Sequence, residues 1–223
     1  LREDVERIMR HDLKTPLNAI IGFSEALMIY ENLTGEQQAY LRMIKEAGYQ
    51  MLNMINLSLD LLKMERGVYQ FNPASVNLFQ VAWKVLGDIR NIGEKRDVSV
   101  EILINGKRPE DANAVFPVWG DKFLCYSILA NLLKNALEAS PPGGQVDLSF
   151  DEGEAAIVRI RNQGAVPEDI RDRFFEKYAT FGKEEGTGLG TYSAKLIAET
   201  QNGDISMFTS ETDGTTVTIR LPR

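Results

Sequence analysis

Residues 11–17 have the sequence His-Asp-Leu-Lys-Thr-Pro-Leu, inside a longer segment whose apolar residues recur at helical spacing. Pro16 interrupts this segment, because a proline has no amide hydrogen to donate within a helix and bends the backbone. The apolar pattern nevertheless continues to Leu27. We therefore predict one kinked helix over residues 1–30, with an apolar stripe centred near Val5, Met9, Ile20 and Phe23. This period places His11 on a solvent-facing flank.

A second helix follows directly. Residues 34–37, Thr-Gly-Glu-Gln, have the pattern of a capping box, in which the first and fourth residues bond each other's backbone amides. Gly67 is a signal for the helix C-terminus. Two long helices joined by a short loop form an antiparallel hairpin, which cannot by itself cover the apolar stripes of both helices. We therefore predict that residues 1–67 form a dimeric four-helix bundle with a second copy.

The composition changes after residue 67. Only 4 of the 18 glycines lie in residues 1–67, whereas 6 of the 7 methionines precede residue 65. The later part is therefore predicted to be an α/β (α+β) sandwich, with a mixed sheet covered by helices on one face. The predicted helices cover 78–92, 121–139 and 189–200, and the predicted strands cover 98–104, 145–151, 155–161, 204–210 and 215–221. We expect a linker over 68–76 and a second domain over 77–223.

Composition and charge exclude several classes of protein. A hydrophobic content of 43% is enough for a core, so a wholly disordered chain is excluded, and a net charge of −7 argues against a nucleic-acid partner. One cysteine and one histidine cannot provide a disulfide or a histidine-rich metal site. No apolar run approaches a membrane span, so we expect no membrane contact from this chain. Because a helical pattern is already present at Leu1, we expect further segments upstream, with room for an anchor.

Residues 11–17 resemble the phosphoacceptor box of two-component sensor histidine kinases, which has a histidine, an acidic residue, a spacer, a basic residue, Thr or Asn, Pro and Leu. The resemblance implies that His11 accepts the phosphoryl group and that Asp12 fixes its tautomer and takes a proton. It also implies that Thr15 orients water in a phosphatase reaction. The alternatives are a surface histidine with no task and a surface threonine bonded to its own helix.

The predicted helix over 121–139 carries a second set of candidates. Asn131 and Asn135 are four residues apart and so share one helix face, and amide oxygens are neutral ligands suited to Mg²⁺. The segment is similar to the N box of the same kinases, which implies that Asn135 holds Mg²⁺ with support from Asn131. Lys134 is a further candidate for binding the nucleotide. Glu138 departs from the pattern, since the family often has a lysine there. Lys134 or Lys195 could compensate.

Gly186–Gly190, with the sequence Gly-Thr-Gly-Leu-Gly, precedes a predicted helix, and free amides at a helix N-terminus attract phosphate. In the resembled family this loop follows an ATP lid, here Lys177–Glu185, and an aromatic box. The candidate nucleotide-binding residues of these segments and of the last strand are Phe174, Phe175, Tyr178, Lys183, Gly186, Thr187, Gly188, Leu189, Gly190 and Thr216.

Residues 162–167, Asn-Gln-Gly-Ala-Val-Pro, occupy the adenine-contacting position of the family. The usual pattern has an aspartate first and two glycines, whereas this chain has Asn162 and only Gly164. An amide oxygen also accepts a proton from the adenine amino group, but the bond is neutral and therefore weaker than one to a carboxylate. We expect nucleotide binding here, with the affinity left open.

The resemblance runs in the family's order from Val5 to Pro222. It implies a cytoplasmic homodimer whose second domain has the Bergerat fold, which binds ATP with Mg²⁺, phosphorylates His11, releases ADP and passes the phosphoryl group to an aspartate of a response-regulator receiver domain. Two alternatives remain. One is a nucleotide-binding dimeric signalling scaffold with weak or lost kinase activity, motivated by Asn162 and Glu138. The other is a gyrase-like ATP hydrolase, although such enzymes usually place a glutamate where Asn131 stands.

Overall fold

The computed structural model describes residues 11–111, 113–179 and 188–223. The chain forms two compact units with a boundary between Tyr69 and Gln70. None of the helices in the described ranges combines the length and hydrophobicity needed to cross a bilayer.

The first unit is a helical hairpin of α1 (Lys14–Leu27) and α2 (Gly35–Glu65). The capping box predicted for α2 is confirmed: the Gln37 backbone amide donates to Thr34 Oγ1 at 3.2 Å, and the Thr34 amide donates to Gln37 Oε1 at 2.9 Å. At the other end Gly67 has a φ of +66° and follows the last turn of α2. Both ends of α2 are therefore set by local sequence signals.

Pro16 does not stop the first helix. It is the third residue of α1, where amides have no partner within the helix, so the missing hydrogen costs little. His11 and Asp12 form a π-helical turn just before α1. Within the described residues the regular α-helix begins at Lys14, and the predicted kink corresponds to this wider turn beside Pro16.

The hairpin buries a narrow core. Leu17 and Ile21 of α1 pack with Ile55 and Leu59 of α2, and half-buried Leu52 lies against them. The predicted apolar stripe of α1 instead centred on Ile20 and Phe23, and the structure leaves both exposed, at 50% and 71%. The helical spacing of the apolar residues was predicted correctly, but the direction of the buried stripe was wrong. Each helix carries one apolar stripe toward its hairpin partner and a second one that faces outward.

The two helices approach closely at Gly48, which is buried in α2. A Cβ atom on this glycine would lie 2.6 Å from Ile21 Cγ1, closer than carbon atoms can pack. We expect Gly48→Leu to lower the free energy of unfolding of the hairpin by roughly 1–3 kcal/mol. Denaturant unfolding of the whole chain at fixed concentration, with amide exchange reporting on α1 and α2, measures the change.

The same substitution at Gly22, in α1, is the matched control, because nothing lies within 4 Å of a Cβ placed there. Leucine is the better helix former, so Gly22→Leu should leave the hairpin at least as stable as the wild type. Equal effects of the two substitutions would contradict a close approach at Gly48.

The second unit contains five helices and seven strands within the described ranges. The helices are α3 (Leu78–Asp88), α4 (Arg90–Arg96), α5 (Lys122–Ala139), α6 (Glu168–Arg171) and α7 (Gly190–Thr200). The strands are β1 (Ala74–Asn77), β2 (Ser99–Ile104), β3 (Pro117–Gly120), β4 (Gln145–Glu152), β5 (Ala156–Asn162), β6 (Asp204–Ser210) and β7 (Gly214–Leu221).

Five strands form a mixed sheet in the order β2-β4-β5-β7-β6, in which only β2 and β4 are parallel. Side chains alternate along the strands, so that one face carries buried residues such as Val146 and Ile160. α5 and α7 pack onto the sheet. The opposite face carries ion pairs, among them Arg161 with Asp147 at 3.3 Å. The predicted mixed sheet with helices on one face is confirmed.

Two features of this unit were not predicted. The single helix predicted over 78–92 is two helices, because Ile89 leaves the helical conformation with φ −105° and ψ 9°. The ribbon of β1 and β3 is an antiparallel pair, and its first strand lies largely in the range predicted as a linker. Cys125 is fully buried in α5, and burial raises the pKa of its thiol to about 12, so the residue is structural.

Candidate functional site

The candidate phosphoacceptor is fully presented to solvent in the first unit. The side chain of His11 is 80% exposed, and its Nδ1 lies 3.1 Å from Oδ1 of Asp12. A carboxylate can only accept a hydrogen bond, so this contact places the ring proton on Nδ1 and the lone pair on Nε2. Within the described residues Nε2 has no hydrogen-bond partner, so its lone pair is available to a reacting group. Thr15, one turn further along, is exposed as well.

In the second unit, the two asparagines of α5 meet the first turn of α7. Asn131 Nδ2 donates to Ser193 Oγ at 2.9 Å, and that hydroxyl donates to the Gly190 carbonyl at 2.9 Å. Asn135 lies beside Gly190, where an added Cβ would stand 3.3 Å from Asn135 Nδ2. Glycine at this position therefore lets the helix N-terminus approach the amide. The structure brings together two segments that are about 55 residues apart in the sequence.

The N-terminus of α7 suits an anion. Leu189 precedes the helix and gives no side-chain cap, and the first amides of an α-helix have no acceptor within the helix itself. In contrast, the N-terminus of α5 is closed by Asp121, whose carboxylate accepts from two amides. A helix of 11 residues whose N-cap residue provides no side-chain bond, beside two neutral amides, suits an anion such as phosphate.

The lysines that could compensate for Glu138 each pair on their own helix. Lys134 Nζ lies 3.8 Å from Glu138 Oε1, and Lys195 Nζ lies 3.9 Å from a carboxylate oxygen of Glu199. Both pairs join residues four apart on one helix, with lysines that are 56% and 47% exposed, and such solvent-accessible pairs contribute little to stability. Lys134 stays a candidate for the phosphates, whereas Lys195 pairs on the exposed side of α7.

The base-binding candidates lie at the end of β5. Asn162 is 5% exposed, and its Nδ2 donates to the Gly164 carbonyl at 3.1 Å. Thr215 Oγ1 donates to the same carbonyl at 2.7 Å. Gly164 is required here, because a Cβ would lie 2.2 Å from the carbonyl oxygen of Ala139 at the end of α5.

Thr216 does not belong to this group. It pairs with Arg161 across the strands and lies on the open face of the sheet, whereas Thr215 pairs with Asn162 on the helix-covered face. We therefore replace Thr216 by Thr215 among the candidates. The strand's alternation could have shown this, because Val217 and later buried residues share the face of Thr215.

The lid segment is tied at both of its described ends. The Tyr178 amide donates to the Gly188 carbonyl at 2.9 Å, and Lys177 Nζ lies 5.0 Å from the centre of the Tyr192 ring. Phe174 and Phe175 stack edge to face with their ring centres 5.0 Å apart. Tyr178 is itself exposed, and Lys183, Gly186 and Thr187 lie outside the described residues.

The amides of α5 fit Mg²⁺. Asn131 uses its nitrogen toward Ser193, which leaves the oxygen as the ligand atom. The described part of the chain contains no group of three or more His, Cys, Asp or Glu residues that could hold a metal. Mg²⁺ is usually bound by one or two protein oxygens together with waters and substrate phosphates, so an amide-based site is sufficient. Ser193 was not among the predicted site residues, although a serine within the buried stripe of α7 is a signal for such a bond.

A helical hairpin with an exposed histidine beside a carboxylate, and an α/β unit in which a helix N-terminus meets two amides, are the features expected of a histidine phosphotransfer protein with its own nucleotide-binding domain. The comparisons with known proteins agree. Residues 1–67 match the His Kinase A (phospho-acceptor) domain family, and residues 120–223 match the histidine kinase-, DNA gyrase B-, and HSP90-like ATPase family. The chain thus carries the phospho-acceptor and ATPase domains of a sensor histidine kinase catalytic core.

Named relatives span the whole chain. It is 29% identical to the circadian input-output histidine kinase CikA of Thermosynechococcus vestitus, covering 100% of this chain and 31% of the relative. It is 30% identical to the histidine protein kinase DivJ of Caulobacter vibrioides, covering 96% and 36%. The chain thus spans about a third of the length of these relatives.

Solved structures share the fold. Full-length ShkA in complex with AMPPNP superposes with a TM-score of 0.71 at 20% identity, covering 98% of this chain and 45% of that chain. The histidine kinase AdeS of Acinetobacter baumannii gives a TM-score of 0.61 at 18% identity, covering 95% and 97%. At these identities the likeness concerns the fold alone.

Proposed function

We propose that this chain transfers the γ-phosphoryl group of ATP to Nε2 of His11 and then passes it to an aspartate of a response-regulator receiver domain. The observation that carries the proposal is the exposed imidazole, whose Nδ1 is held by Asp12 while Nε2 stays uncovered. ADP as product and a cytoplasmic location, where ATP is present, belong to the same proposal.

The reaction needs a neutral imidazole, because an imidazolium has no lone pair to attack with. Nε2 forms the new N–P bond while the bond between the γ-phosphorus and the bridging oxygen of ADP breaks. Asp12 accepts the hydrogen bond from Nδ1 and stabilises the positive charge that develops on the ring, and it takes the proton as the charge is released. Phosphoryl transfer depends mainly on positioning and on charge neutralisation, so the transfer from ATP to His11 needs no additional covalent intermediate.

The second unit would hold the nucleotide through its own groups. The amides at the start of α7 would bind phosphate oxygens, and Asn135 would hold Mg²⁺ with support from Asn131. Mg²⁺, when bound, would neutralise charge on the triphosphate. Asn162 would accept a hydrogen bond from the base.

A labelling experiment tests this proposal. The full chain is incubated with γ-labelled ATP and Mg²⁺, the bound label is tested for lability in acid and stability in alkali, and a receiver domain is then added. We expect acid-labile label on the chain. We also expect this label to be lost from the chain when a receiver domain that retains its aspartate is added and accepts the phosphoryl group. Continuous phosphate release with no label on the chain would instead support an ATP hydrolase.

We further propose that the chain acts as a homodimer through the outward stripes of α1 and α2. Leu13, Ile20 and Leu27 are spaced by seven residues on α1 and are 45–50% exposed. Met51 and Met54 on α2 are 56% and 64% exposed. Apolar residues at heptad spacing on both helices of a hairpin are the seam of a four-helix bundle.

Phe23 lies in this seam and is 71% exposed. We expect Phe23→Glu to weaken the dimer at least about 100-fold, because a twofold interface loses the buried ring twice and gains two buried charges. Sedimentation at graded concentrations measures the dissociation constant. Tyr30→Glu is the matched control, since Tyr30 is 61% exposed but lies in the connecting loop. A Phe23→Glu chain that dimerises like the control would contradict the proposed seam.

A further inference from the structure

One side of β2 is a free edge of the large sheet. Within the described residues β2 pairs with β4 alone, and the two strands are parallel. In a parallel pair, successive residues direct both backbone groups alternately toward the neighbouring strand and away from it. The Ser99 amide donates to the Gly144 carbonyl at 3.1 Å, so Ser99 faces the neighbouring strand and the next residue faces the free edge.

The outward backbone groups of β2 belong to Val100, Ile102 and Ile104. Ile104 uses its groups in a turn, because its amide donates to the Lys107 carbonyl at 2.8 Å and its carbonyl accepts from the Lys107 amide at 3.0 Å. Val100 and Ile102 have no hydrogen bond on this side within the described residues. Two amides and two carbonyls therefore lie along the edge with the two-residue spacing that a further strand needs.

An apolar groove of about 760 Å³ lies beside this free edge. Val100 and Ile102 line it, and their side chains are on the helix-covered face because they pair with buried Val146 and Leu148 of β4. Trp83 of α3 also lines the groove and is 51% exposed. An added strand would place alternate side chains in this groove, where they would extend the core between the sheet and its helices.

The sequence of β2 does not protect the edge against such pairing. Natural edge strands are usually protected by proline, lysine, a bulge or a very short length. The six residues of β2, Ser-Val-Glu-Ile-Leu-Ile, contain no proline or lysine, and their register with β4 is continuous from Ser99 to Ile104. The edge is therefore suited to accept a strand rather than to exclude one.

The charges beside the groove favour a basic residue on the added strand. Arg90 and Glu94 line the groove and pair with each other at 2.6 Å. Asp97, which also lines the groove, is exposed and has no ion pair within the described residues. The neighbouring Arg96 donates to the Glu138 carbonyl at 2.9 Å. A lysine or arginine on the partner would complement the carboxylate at the start of β2.

The groove is separate from the proposed nucleotide site, although α5 contributes to both. Leu137 lines the groove, whereas Asn135 lies beside Gly190 at the start of α7. Two residues along a helix correspond to a rotation of about 200°, so the two side chains project from nearly opposite sides of α5. A strand in the groove and a nucleotide beside α7 therefore do not compete for the same space.

We infer that the free edge of β2 binds an extended segment of a partner protein, with apolar residues at alternate positions and a lysine or arginine that reaches Asp97. The segment adds a sixth strand to the five-stranded sheet. Backbone hydrogen bonds to Val100 and Ile102 supply affinity, and the groove with Asp97 selects the side chains. Phosphoryl transfer needs no strand at this edge, so the inference goes beyond the proposed function.

The test uses the blocked peptide Lys-Val-Thr-Val-Thr-Val-Lys, which has a basic residue at both ends so that either strand direction is served. The full chain carries Trp119→Phe, which leaves Trp83 as its only tryptophan. We expect the emission of Trp83 to shift to the blue with a dissociation constant below about 1 mM, because the peptide covers the ring. No saturable shift up to that concentration would overturn the inference.

Two methylated peptides test the backbone hydrogen bonds. One carries N-methyl groups on its valine amides and the other on its threonine amides, and alternate amides of a strand point to opposite edges. We expect one of the two to bind at least about 10-fold more weakly, because its donors toward β2 are lost, and the other to bind within about threefold of the parent. Equal binding of both would overturn the addition of a strand.

Variants of the chain locate the site. Val100→Pro removes an outward amide hydrogen and no bond to β4, a position at which an edge strand tolerates proline. We expect it to weaken peptide binding at least about 10-fold while ADP binding is unchanged, and Val100→Thr, which keeps the amide, to bind within about threefold of the parent. Asp97→Asn should weaken the lysine peptide but not a version with glutamine at both ends.

The methylated peptides keep the inference testable if Val100→Pro does not fold. Equal peptide binding by folded Val100→Pro and Val100→Thr would overturn the assignment to this edge. Sedimentation separates a partner segment from a second copy of the chain. Assemblies larger than a dimer that Val100→Pro removes would place a second copy on the edge and overturn the proposed partner.

Discussion

Replacing His11 by glutamine should abolish acid-labile label while leaving nucleotide binding unchanged. The imidazole is exposed and contacts Asp12, so its removal takes away the nucleophile and no core packing. We expect the labelling rate to fall roughly a thousandfold or more, to background, since no other side chain in the first turn can replace an imidazole nitrogen. Label is measured after incubation with γ-labelled ATP and Mg²⁺, and ADP affinity is measured on the same sample.

Thr15→Ala is the matched companion on the same exposed face. If Thr15 serves the phosphatase reaction, this variant labels at the wild-type rate but removes phosphate from a phosphorylated receiver domain more slowly. A His11→Gln chain that labels as strongly as the wild type would disprove the phosphoacceptor. Loss of label together with loss of ADP binding would show instead that the substitution disturbed the second unit.

Local signals predicted the elements of this fold well. Thr34 and Gln37 form their capping box because the interaction needs only residues that are three apart. The five strands of the large sheet were predicted within one or two residues, because each alternates apolar and polar side chains over a helix-covered face. The motifs around His11 and Asn135 could also be found from the sequence, since chemistry restricts their residue types.

Features that depend on distant partners could not be predicted in this way. The ribbon of β1 and β3 joins segments about 40 residues apart, and neither strand is long enough to show a period. The helix breaks at Ile89, but the apolar residues keep their helical spacing across this position, so the sequence pattern shows no interruption there. The hydroxyl pair of Thr209 and Thr215 exists only because β6 and β7 are paired in one register. A one-residue shift of that register would place different side chains beside Asn162.

The buried stripes of the hairpin show the same limit. When a helix has two apolar faces, the mean direction of its apolar side chains, as calculated from the sequence, lies between the two faces. Leu17 and Ile21 face the partner helix, whereas Ile20 and Phe23 face outward. The sequence pattern therefore indicated a bundle but could not assign each residue to the inner or the outer seam.

Replacing Asn135 by alanine should slow the labelling of His11 by about 100-fold at saturating ATP, the size of effect expected when one ligand of a catalytic metal site is lost. The amide lies beside Gly190 at the uncapped N-terminus of α7, where the phosphates would bind. If Asn135 holds Mg²⁺, the variant should also need a higher Mg²⁺ concentration for half-maximal rate. Labelling rates over a Mg²⁺ titration measure both effects.

Two controls locate the cause of the loss. Asn91→Ala changes an exposed amide on α4 of the same unit and should leave the rate and the Mg²⁺ dependence unchanged. Asn131→Ala should give a smaller loss, about 10-fold, because Asn131 is anchored to Ser193 and supports the site through its remaining oxygen. If Asn135→Ala labels at the wild-type rate across the titration, the metal is held elsewhere, and the amide face of α5 is a packing surface for α7 alone.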